Sequence, residues 1–320
     1  MIRPVLLASA LTVSLLAACG GGGGGDGGVD TPTVQPVSLN FTAALGTTAL
    51  ASPCGAPLAG LGSTPVNARL KDLRFYVSNL HLINAAGAEV KVALAANVNQ
   101  LTRGANSVAL VDLRDTTAKG DCAAGNGHFT ITGTVPTGSY TAVAFTLGVP
   151  EALNHVDPND ASNAPLDNLD LGWDWTGGKK HLQVEINPEN ATTAGSYVNG
   201  ITRPGSAAAT TYALHLGNTA CSNPAANVYT CSNVNTRDIH FHNFNLATQR
   251  IAVDLQALFA SSNLQQDLGE AVGCMSSATD PDCTDVWPVL GATFSATGAN
   301  VIDPLNEFLH GETVFKAIAK

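Results

Sequence analysis

The chain has 320 residues, a formal net charge of −10 and only 12% charged residues. An acidic field of this kind repels phosphate backbones, which argues against nucleic acid as a partner. The length suits one large β domain or two small ones, and the abundance of Thr, Asn, Gly and Val favours strands and loops.

The N-terminus has the pattern of an export signal. Residues 1–18 contain Arg3, then an apolar run too short to span a membrane, then small residues before Cys19. The motif "LAAC" is typical of bacterial lipoprotein signals, in which the cysteine is acylated and becomes the mature N-terminus. The Gly-rich stretch within 19–36 predicts a flexible tether. We therefore expect an exported, periplasm-facing protein, held by its lipid alone to the outer membrane, since the residue after Cys19 is not Asp.

Alternating apolar and polar residues predict nine strands between positions 37 and 255. In the first, "VSLNFTAAL", four apolar residues share one face: Val37, Leu39, Phe41 and Ala43. The others are "LRFYVSNLHLI", "SVALVDL", "HFTITGTV", "SYTAVAFTLGV", "HLQVEI", "TYALHLG", "IHFHNFNL" and "RIAVDL". The tight-turn segment "PTGS" predicts a hairpin between "HFTITGTV" and "YTAVAFTLGV".

Helices are expected only as minor elements near the C-terminus. Asp254 is a candidate N-cap for a helix beginning in "DLQALFASSN", and Gly311 is a candidate end for one in "DPLNEFLHG". The sequence shows neither an internal repeat nor a second linker. We therefore predict an all-β class and a single β-sandwich domain over residues 37–320, with long loops.

Besides Cys19, the chain has six cysteines: Cys54, Cys122, Cys221, Cys231, Cys274 and Cys283. An even number in an exported chain predicts disulfides, although fifteen connectivities are possible in principle. Cys221 and Cys231 flank one short loop, and Cys274 and Cys283 flank another. Local pairing within each loop is therefore the simplest expectation, and it leaves Cys54 with Cys122. A four-cysteine zinc site is the alternative, but neither spacing is the two to four residues that such sites use.

Common catalytic motifs are missing: there is no nucleophile elbow, no zinc-protease helix and no phosphate loop, so we do not expect an enzyme. The eight histidines instead suggest a metal site, because imidazole suits copper, zinc and nickel. His155 lies just past a strand, in a loop rich in Asn, Asp and Pro. Asx turns are the plainer interpretation of that loop, and calcium is a second one, although the EF-hand glycine is missing. His215 is near the end of the strand "YALHLG" and precedes the loop at Cys221.

A second histidine pair, His240 and His242, shares one face of a strand and could chelate a metal. The opposite face carries Ile239 and Phe241, which more naturally define the core and leave both histidines solvated. Three others have the pattern of ordinary surface or partly buried residues: His81, His128 and His310.

Two of the three tryptophans, Trp173 and Trp175, lie two residues apart in "LGWDWTGGKKHLQVEI". On an extended strand they would share a face, which suits a core cover, a sugar-stacking platform or a cation box. A fourth interpretation is chemical, because oxidative opening of an indole gives kynurenine, whose amine and ketone are potential metal ligands. Such a site needs nearby histidines, and His181 follows closely enough to be a further candidate.

Several motifs in one order make the chain similar to a known family. They are "FYVSNLHLI", "VALVDL", "FTLGVPEALNH", "PLDNLDLGWDWTGGKKHLQVEI", "HLGNTAC", "CSNVNTRDI" and "GCMSSATDPDC". Together they resemble the MbnP-like family, the four-Cys-motif proteins of the metallo-mystery pair. The resemblance implies an exported protein encoded beside a MauG-type dihaem peroxidase. It also implies copper binding and oxidation of a tryptophan to kynurenine by that partner.

Matched motif by motif, the resemblance implies that His155 and His215 hold one copper ion and that Trp173 or Trp175 is modified. The four cysteines of the family name would be Cys221, Cys231, Cys274 and Cys283. After the tryptophans the chain departs from the family pattern, because Lys and His stand where many members carry aromatic residues. The site requires distant loops to converge at one end of the sandwich.

The function that follows is copper uptake, storage or delivery by a lipoprotein that its haem partner oxidises. Two alternatives remain from the residues themselves. In one, the tryptophan pair stacks on a sugar or small ligand without metal. In the other, the chain is a structural lipoprotein of the outer membrane whose loops contact another protein.

Overall fold

The computed structural model describes residues 33–320 except 175, 227, 278, 292–308 and 311–313, with the side chains of 309 and 310 also left aside. The strands, in chain order, are β1 (Val34–Leu45), β2 (Thr48–Ala49), β3 (Leu58–Leu61), β4 (Val66–Asn84), β5 (Glu89–Lys91), β6 (Ala93–Leu94), β7 (Gln100–Arg103), β8 (Asn106–Asp112), β9 (Thr130–Pro136), β10 (Tyr140–Leu147), β11 (Lys180–Pro188), β12 (Tyr212–Gly217), β13 (Thr219–Ala225), β14 (Val228–Asn233), β15 (Arg237–Phe241), β16 (Gln249–Asp254), β17 (Gly273–Cys274), β18 (Leu309–His310) and β19 (Phe315–Ala319). The α-helices are α1 (Glu151–Asn154), α2 (Leu255–Leu258) and α3 (Cys283–Val286), and 3-10 turns occupy Ala161–Asn163, Leu169–Leu171 and Pro288–Leu290. This composition confirms the all-β class.

The first sheet has the order β19-β16-β1-β9-β6, with β2 beside β1. Its central strand β1 runs parallel to β16 and antiparallel to β9. The four residues predicted to share the inner face of β1 are all buried, with exposures of 3% or less: Val37, Leu39, Phe41 and Ala43. The period-2 pattern therefore predicted the correct face.

The second sheet has the order β17-β12-β11-β4-β10-β15-β18, and β3, β5 and β8 also pair with β4. The 19-residue strand β4 organises it. Its first half pairs with β11 from Ala68 to Phe75, and its second half pairs with β10 from Val77 to Asn84. A register shift and a positive φ of 56° at Asn79 accompany the change of partner, as expected for a bulge that bends a long strand.

Aromatic rings from both sheets meet in the core. Phe41 of the first sheet lies 5.5 Å from Phe75 and 5.8 Å from Phe145 of the second, measured between ring centroids. Phe315 on β19 contacts the same two rings at 5.7 and 6.1 Å. All four contacts are edge-to-face, the geometry that the ring quadrupole favours. The two sheets thus form the predicted β-sandwich.

The predicted hairpin at "PTGS" is wrong. Strand β9 pairs with β1 and β6 in the first sheet, whereas β10 pairs with β4 and β15 in the second. The turn therefore carries the chain from one sheet to the other. Turn-forming residues specify a reversal of direction, but the strand that lies alongside is decided by which face must be buried.

All three disulfides that the cysteine spacing suggested are formed: Cys54–Cys122, Cys221–Cys231 and Cys274–Cys283. The first joins residues 68 apart in sequence. The second links β13 to β14 in a two-stranded hairpin outside both sheets. The third fastens β17 to the start of α3. Each closes a loop and so restricts the unfolded chain.

The helix predicted after Asp254 is confirmed as α2, whose Gln256 amide donates to the Asp254 carboxylate at 3.0 Å. The second predicted helix is wrong at its end, because Leu309–His310 form the strand β18. Its remaining residues, including Gly311, lie outside the described part of the chain, as do residues 1–32 with the signal, Cys19 and most of the tether.

β1 begins at Val34, ahead of the predicted domain start at 37. Within the described residues, every helix is too short or too polar to cross a bilayer.

The variant Phe41→Ala should destabilise the fold by about 3–5 kcal/mol, because it removes a ring that contacts both sheets and leaves a cavity. Urea unfolding followed by circular dichroism would measure the loss. Val98→Ala, at a side chain that is 75% exposed, is the matched control and should change stability by less than about 0.5 kcal/mol. Equal effects of the two substitutions would contradict the assigned core.

Candidate functional site

A pocket of about 190 Å³ opens between the loop that follows α1 and the turn that precedes β11. His155 and Trp173 line it, together with residues of the same two loops: Asn154, Val156, Pro158, Asn159, Leu169, Gly172, Asp174, Gly178 and Lys179. Asn154 joins the loops by accepting from the Lys179 amide at 3.1 Å. Gly178 permits this contact, because a Cβ there would lie 2.3 Å from the Asn154 amide nitrogen and its φ is +74°.

The polar loop after His155 holds its own backbone. The Asp157 carboxylate accepts from the Asn159 amide at 2.8 Å, and Asp160 accepts from the Ser162 amide at 2.9 Å. These Asx turns agree with the plainer interpretation of the sequence. They give His155 a fixed position at the end of α1, where it is the C-cap residue.

The His155 ring is packed between several groups. It stacks on Tyr229 of β14 with centroids 4.9 Å apart and an interplanar angle of 16°. Its Nε2 lies 3.2 Å from Asn154 Nδ2, 3.6 Å from Cys231 Sγ and 3.9 Å from Glu151 Oε1. Among the described residues, Glu151, His155 and Cys231 are the group of three whose potential metal-ligand atoms all lie within 4.8 Å of one another. Because Cys231 is in a disulfide, its sulfur is not a thiolate in this state.

Trp173 lies between this pocket and strand β12. The turn is closed by its amide, which donates to Gly178 O at 2.9 Å. The indole meets the His215 ring edge-on at 5.7 Å, and Lys180 Nζ is 5.5 Å from its centroid. Gly217 allows this approach, since a Cβ there would lie 2.4 Å from the indole nitrogen. Within the described residues, that buried nitrogen has no hydrogen-bond partner. The structure of Trp175 lies outside the described residues.

His215 points from β12 towards Glu185 on the neighbouring strand, with 2.9 Å between its Nε2 and Glu185 Oε1. Lys71 Nζ is 2.9 Å from the other carboxylate oxygen. Burial alone would raise the pKa of Glu185, but hydrogen bonds from His215 and Lys71 outweigh it and lower the pKa to about 2. Burial lowers the pKa of His215, although Glu185 opposes this effect. A neutral imidazole therefore faces Trp173 at neutral pH.

His181 is fully buried, and both of its ring nitrogens are engaged. Nδ1 accepts from the Val149 amide at 3.2 Å, and Nε2 donates to Asn218 Oδ1 at 2.8 Å. Burial is the main reason that its pKa falls to about 4. Asn218 in turn donates to Glu151 Oε2 at 2.9 Å. In this arrangement His181 supports the loops of the site and offers no nitrogen to an ion.

The strand pair His240 and His242 lies elsewhere, on β15 and just after it. Their neighbours Ile239 and Phe241 are buried at 1% and 4% exposure, so the core face was predicted correctly. The two imidazole centroids are 4.2 Å apart. His242 is exposed and His240 is half-buried.

The structure thus places His155 and Trp173 in the lining of one pocket, and it places His215 against the same indole. Coordination of a common ion by both histidines stays a prediction. Sequence reasoning missed Glu151 and Glu185. The i,i+4 spacing of Glu151 and His155 was a usable signal, because such residues share a helix face. Glu185 could be found only from the register of β11 against β12.

Replacing Glu185 with Gln should change the pH dependence of stability. A carboxylate whose pKa falls from 4.5 to about 2 stabilises the folded state above pH 4.5, and this contribution is lost as the pH falls towards 2. Wild type should exceed E185Q by about 2–3 kcal/mol near neutral pH, with the difference shrinking through that window. Urea unfolding at a series of pH values measures it. Glu89→Gln, at an exposed position, is the control, and a pH-independent difference for E185Q would refute the assignment.

The chain is similar to known proteins of one family. A family model described as MbnP matches residues 34–276. Among solved structures, MbnP from Methylosinus trichosporium superposes with a TM-score of 0.75 and 30% sequence identity, covering 90% of this chain and 99% of that one. No curated protein sequence matches. The match includes the loops that carry His155, Trp173 and His215, so the resemblance is confirmed and the chain belongs to the MbnP family.

Proposed function

We propose that this protein binds one copper ion through His155 and His215 and is oxidised at a tryptophan by a MauG-type dihaem peroxidase. It would act at the periplasmic face of the outer membrane, lipid-anchored at Cys19, in copper uptake, storage or delivery. The observation that carries the proposal is that, in a chain of the MbnP family, His155 lines one pocket with Trp173 and His215 packs against the same indole. The chain is then not an enzyme but the target of one.

The residues present fit copper. Imidazole is a good ligand for either oxidation state, and two of them suit Cu(I). Because Glu185 occupies Nε2 of His215, the nitrogen left to face an ion is Nδ1, the usual arrangement in which a carboxylate orients a ligating imidazole. At His155, Glu151 supplies an oxygen 3.9 Å from Nε2. With copper bound, the site would hold a redox-active cation reversibly. A further N or O donor would favour Cu(II).

Trp173 is the better supported target of oxidation. Its indole is half-buried, so electrons could leave towards a partner at the surface, while one edge contacts His215. Opening of the ring to kynurenine would place an aryl amine and a ketone beside His215, at the pocket that His155 lines. That product would supply the third donor.

The pocket size favours an ion over an organic ligand. Its volume of about 190 Å³ is smaller than the roughly 300–1,000 Å³ typical of small-molecule sites. Only Trp173 among the described residues offers an indole to this pocket. A stacked sugar would therefore have little enclosed surface to bind.

Copper titration tests the ligands. Purified wild type should bind one copper ion, and His155→Gln and His215→Gln should each weaken binding by more than about tenfold, as expected when a ligand or its support is removed. Competition against a chromophoric chelator gives the affinity. His242→Gln is the matched control, because His240 and His242 are the rival imidazole pair. Loss of binding in H242Q, with H155Q unaffected, would move the site to β15.

Intact mass tests the modification. Protein made together with its dihaem peroxidase should be heavier than its sequence requires, and peptide mapping should place the change at residue 173. Trp173→Phe should abolish the change, whereas Trp287→Phe, at a core indole that is 2% exposed, should leave it intact. A mass change that persists in W173F and maps to Trp175 would show that the other indole is the target.

A further inference from the structure

The disulfide Cys221–Cys231 differs from the other two in accessibility. Its cysteines are half-buried, whereas the other four have exposures of 5% or less: Cys54, Cys122, Cys274 and Cys283. The two residues lie directly opposite each other on the β13–β14 hairpin, outside both sheets. Exchange with an external thiol requires contact with a sulfur atom. Of the three bonds, this one is the least shielded from a reductant.

One sulfur of this accessible bond belongs to a potential ligand cluster. Cys231 Sγ is 3.6 Å from His155 Nε2, and Glu151 Oε1 is 3.9 Å from the same nitrogen. Tyr229 lies two residues before Cys231 and therefore on the same face of β14, where it stacks on the His155 ring. That face holds the sulfur against the imidazole.

The hairpin has other supports that do not depend on the sulfur–sulfur bond. Thr219 pairs with Asn233 in the ladder, and their side chains are joined at 3.0 Å. At the base of the hairpin, Asn235 donates to Gly217 O at 2.7 Å. Asn218 holds the second oxygen of Glu151, so the first oxygen stays directed towards His155. Breaking the disulfide would leave Cys231 beside the same two groups.

We propose that reduction of Cys221–Cys231 creates a Cu(I) site formed by the Cys231 thiolate, the His155 imidazole and the Glu151 carboxylate. A dithiol reductant supplies both electrons. One of its thiolates bonds to the Cys221 sulfur, the Sγ–Sγ bond breaks and Cys231 leaves as a thiolate. The second thiol of the reductant then displaces Cys221 as a thiol, and the reductant ends as a disulfide. Thiolate is the ligand type that most strongly favours Cu(I).

This site shares His155 with the proposed function but needs neither His215 nor a modified tryptophan. The hairpin would then act as a redox-controlled element, with the oxidised form offering imidazole and carboxylate and the reduced form adding sulfur. Copper affinity would rise under reducing conditions without any large movement of the chain.

A matched pair of variants tests the site. Cys221→Ser and Cys231→Ser both lose the disulfide, but only C221S keeps the thiol that lies beside His155. Under anaerobic conditions, with bathocuproine disulfonate as the competing Cu(I) chelator, C221S should bind Cu(I) more than about tenfold tighter than oxidised wild type. C231S should show little gain, and C221S/H155Q should lose it. With Co(II) as a probe, C221S should also show a thiolate-to-metal absorption band that C231S lacks.

Partial reduction of wild type provides a second measurement that does not depend on the folding of a variant. After limited dithiothreitol treatment, its removal and alkylation, peptide mapping should find label at Cys221 and Cys231 before the other four cysteines. The reduced, unalkylated protein should match C221S in Cu(I) affinity. Equal gains in C221S and C231S, no gain in either reduced form, or earlier labelling of another pair would overturn the inference. Failure of the proposed function would look different, since oxidised wild type would then bind no copper.

Discussion

A neutral imidazole in the core positions the loops of the candidate site. His181 accepts from the Val149 amide, at the exit of the second sheet, and donates to Asn218, which also holds Glu151. Burial keeps the ring uncharged by lowering its pKa to about 4. Three segments far apart in sequence are thereby fixed to one buried side chain. A protonated ring could not accept from Val149, so this link depends on the desolvation of His181.

The second determinant is a close approach of side chain to backbone. Trp173 can lie against β12 because position 217 is glycine, and the loops can meet because position 178 is glycine. His215 and Glu185 then form a partly buried pair beneath the indole. The oriented imidazole is suited to bind a metal, and the half-buried indole beside it is suited to donate electrons. The same arrangement explains why the proposed copper function and the proposed oxidation share one place in the fold.

The disulfides divide by environment into two kinds. Cys54–Cys122 and Cys274–Cys283 are buried and restrain the sandwich and its C-terminal region. Cys221–Cys231 is accessible and abuts His155. In the Cu(I) site that we propose, this position would connect the redox state of the surroundings to the chemistry of the site, whereas the buried pairs would be shielded from that influence.

Local sequence determined nine of the strands, the helix α2 and several of their faces. The alternation in β1, the capping by Asp254 and the Asx turns after His155 follow from interactions between residues close in the chain. Short spacing suggested two of the cysteine pairs and left Cys54 with Cys122 by elimination. The turn "PTGS" showed the limit of such reasoning, because a reversal of direction does not specify the neighbouring strand. Only the packing of two sheets placed β9 and β10 apart. The tertiary structure alone also brought Glu185 to His215, Cys231 to His155 and Trp173 to His215. These contacts join residues about 30 to 75 positions apart and depend on strand register and loop packing, which no short window of sequence contains.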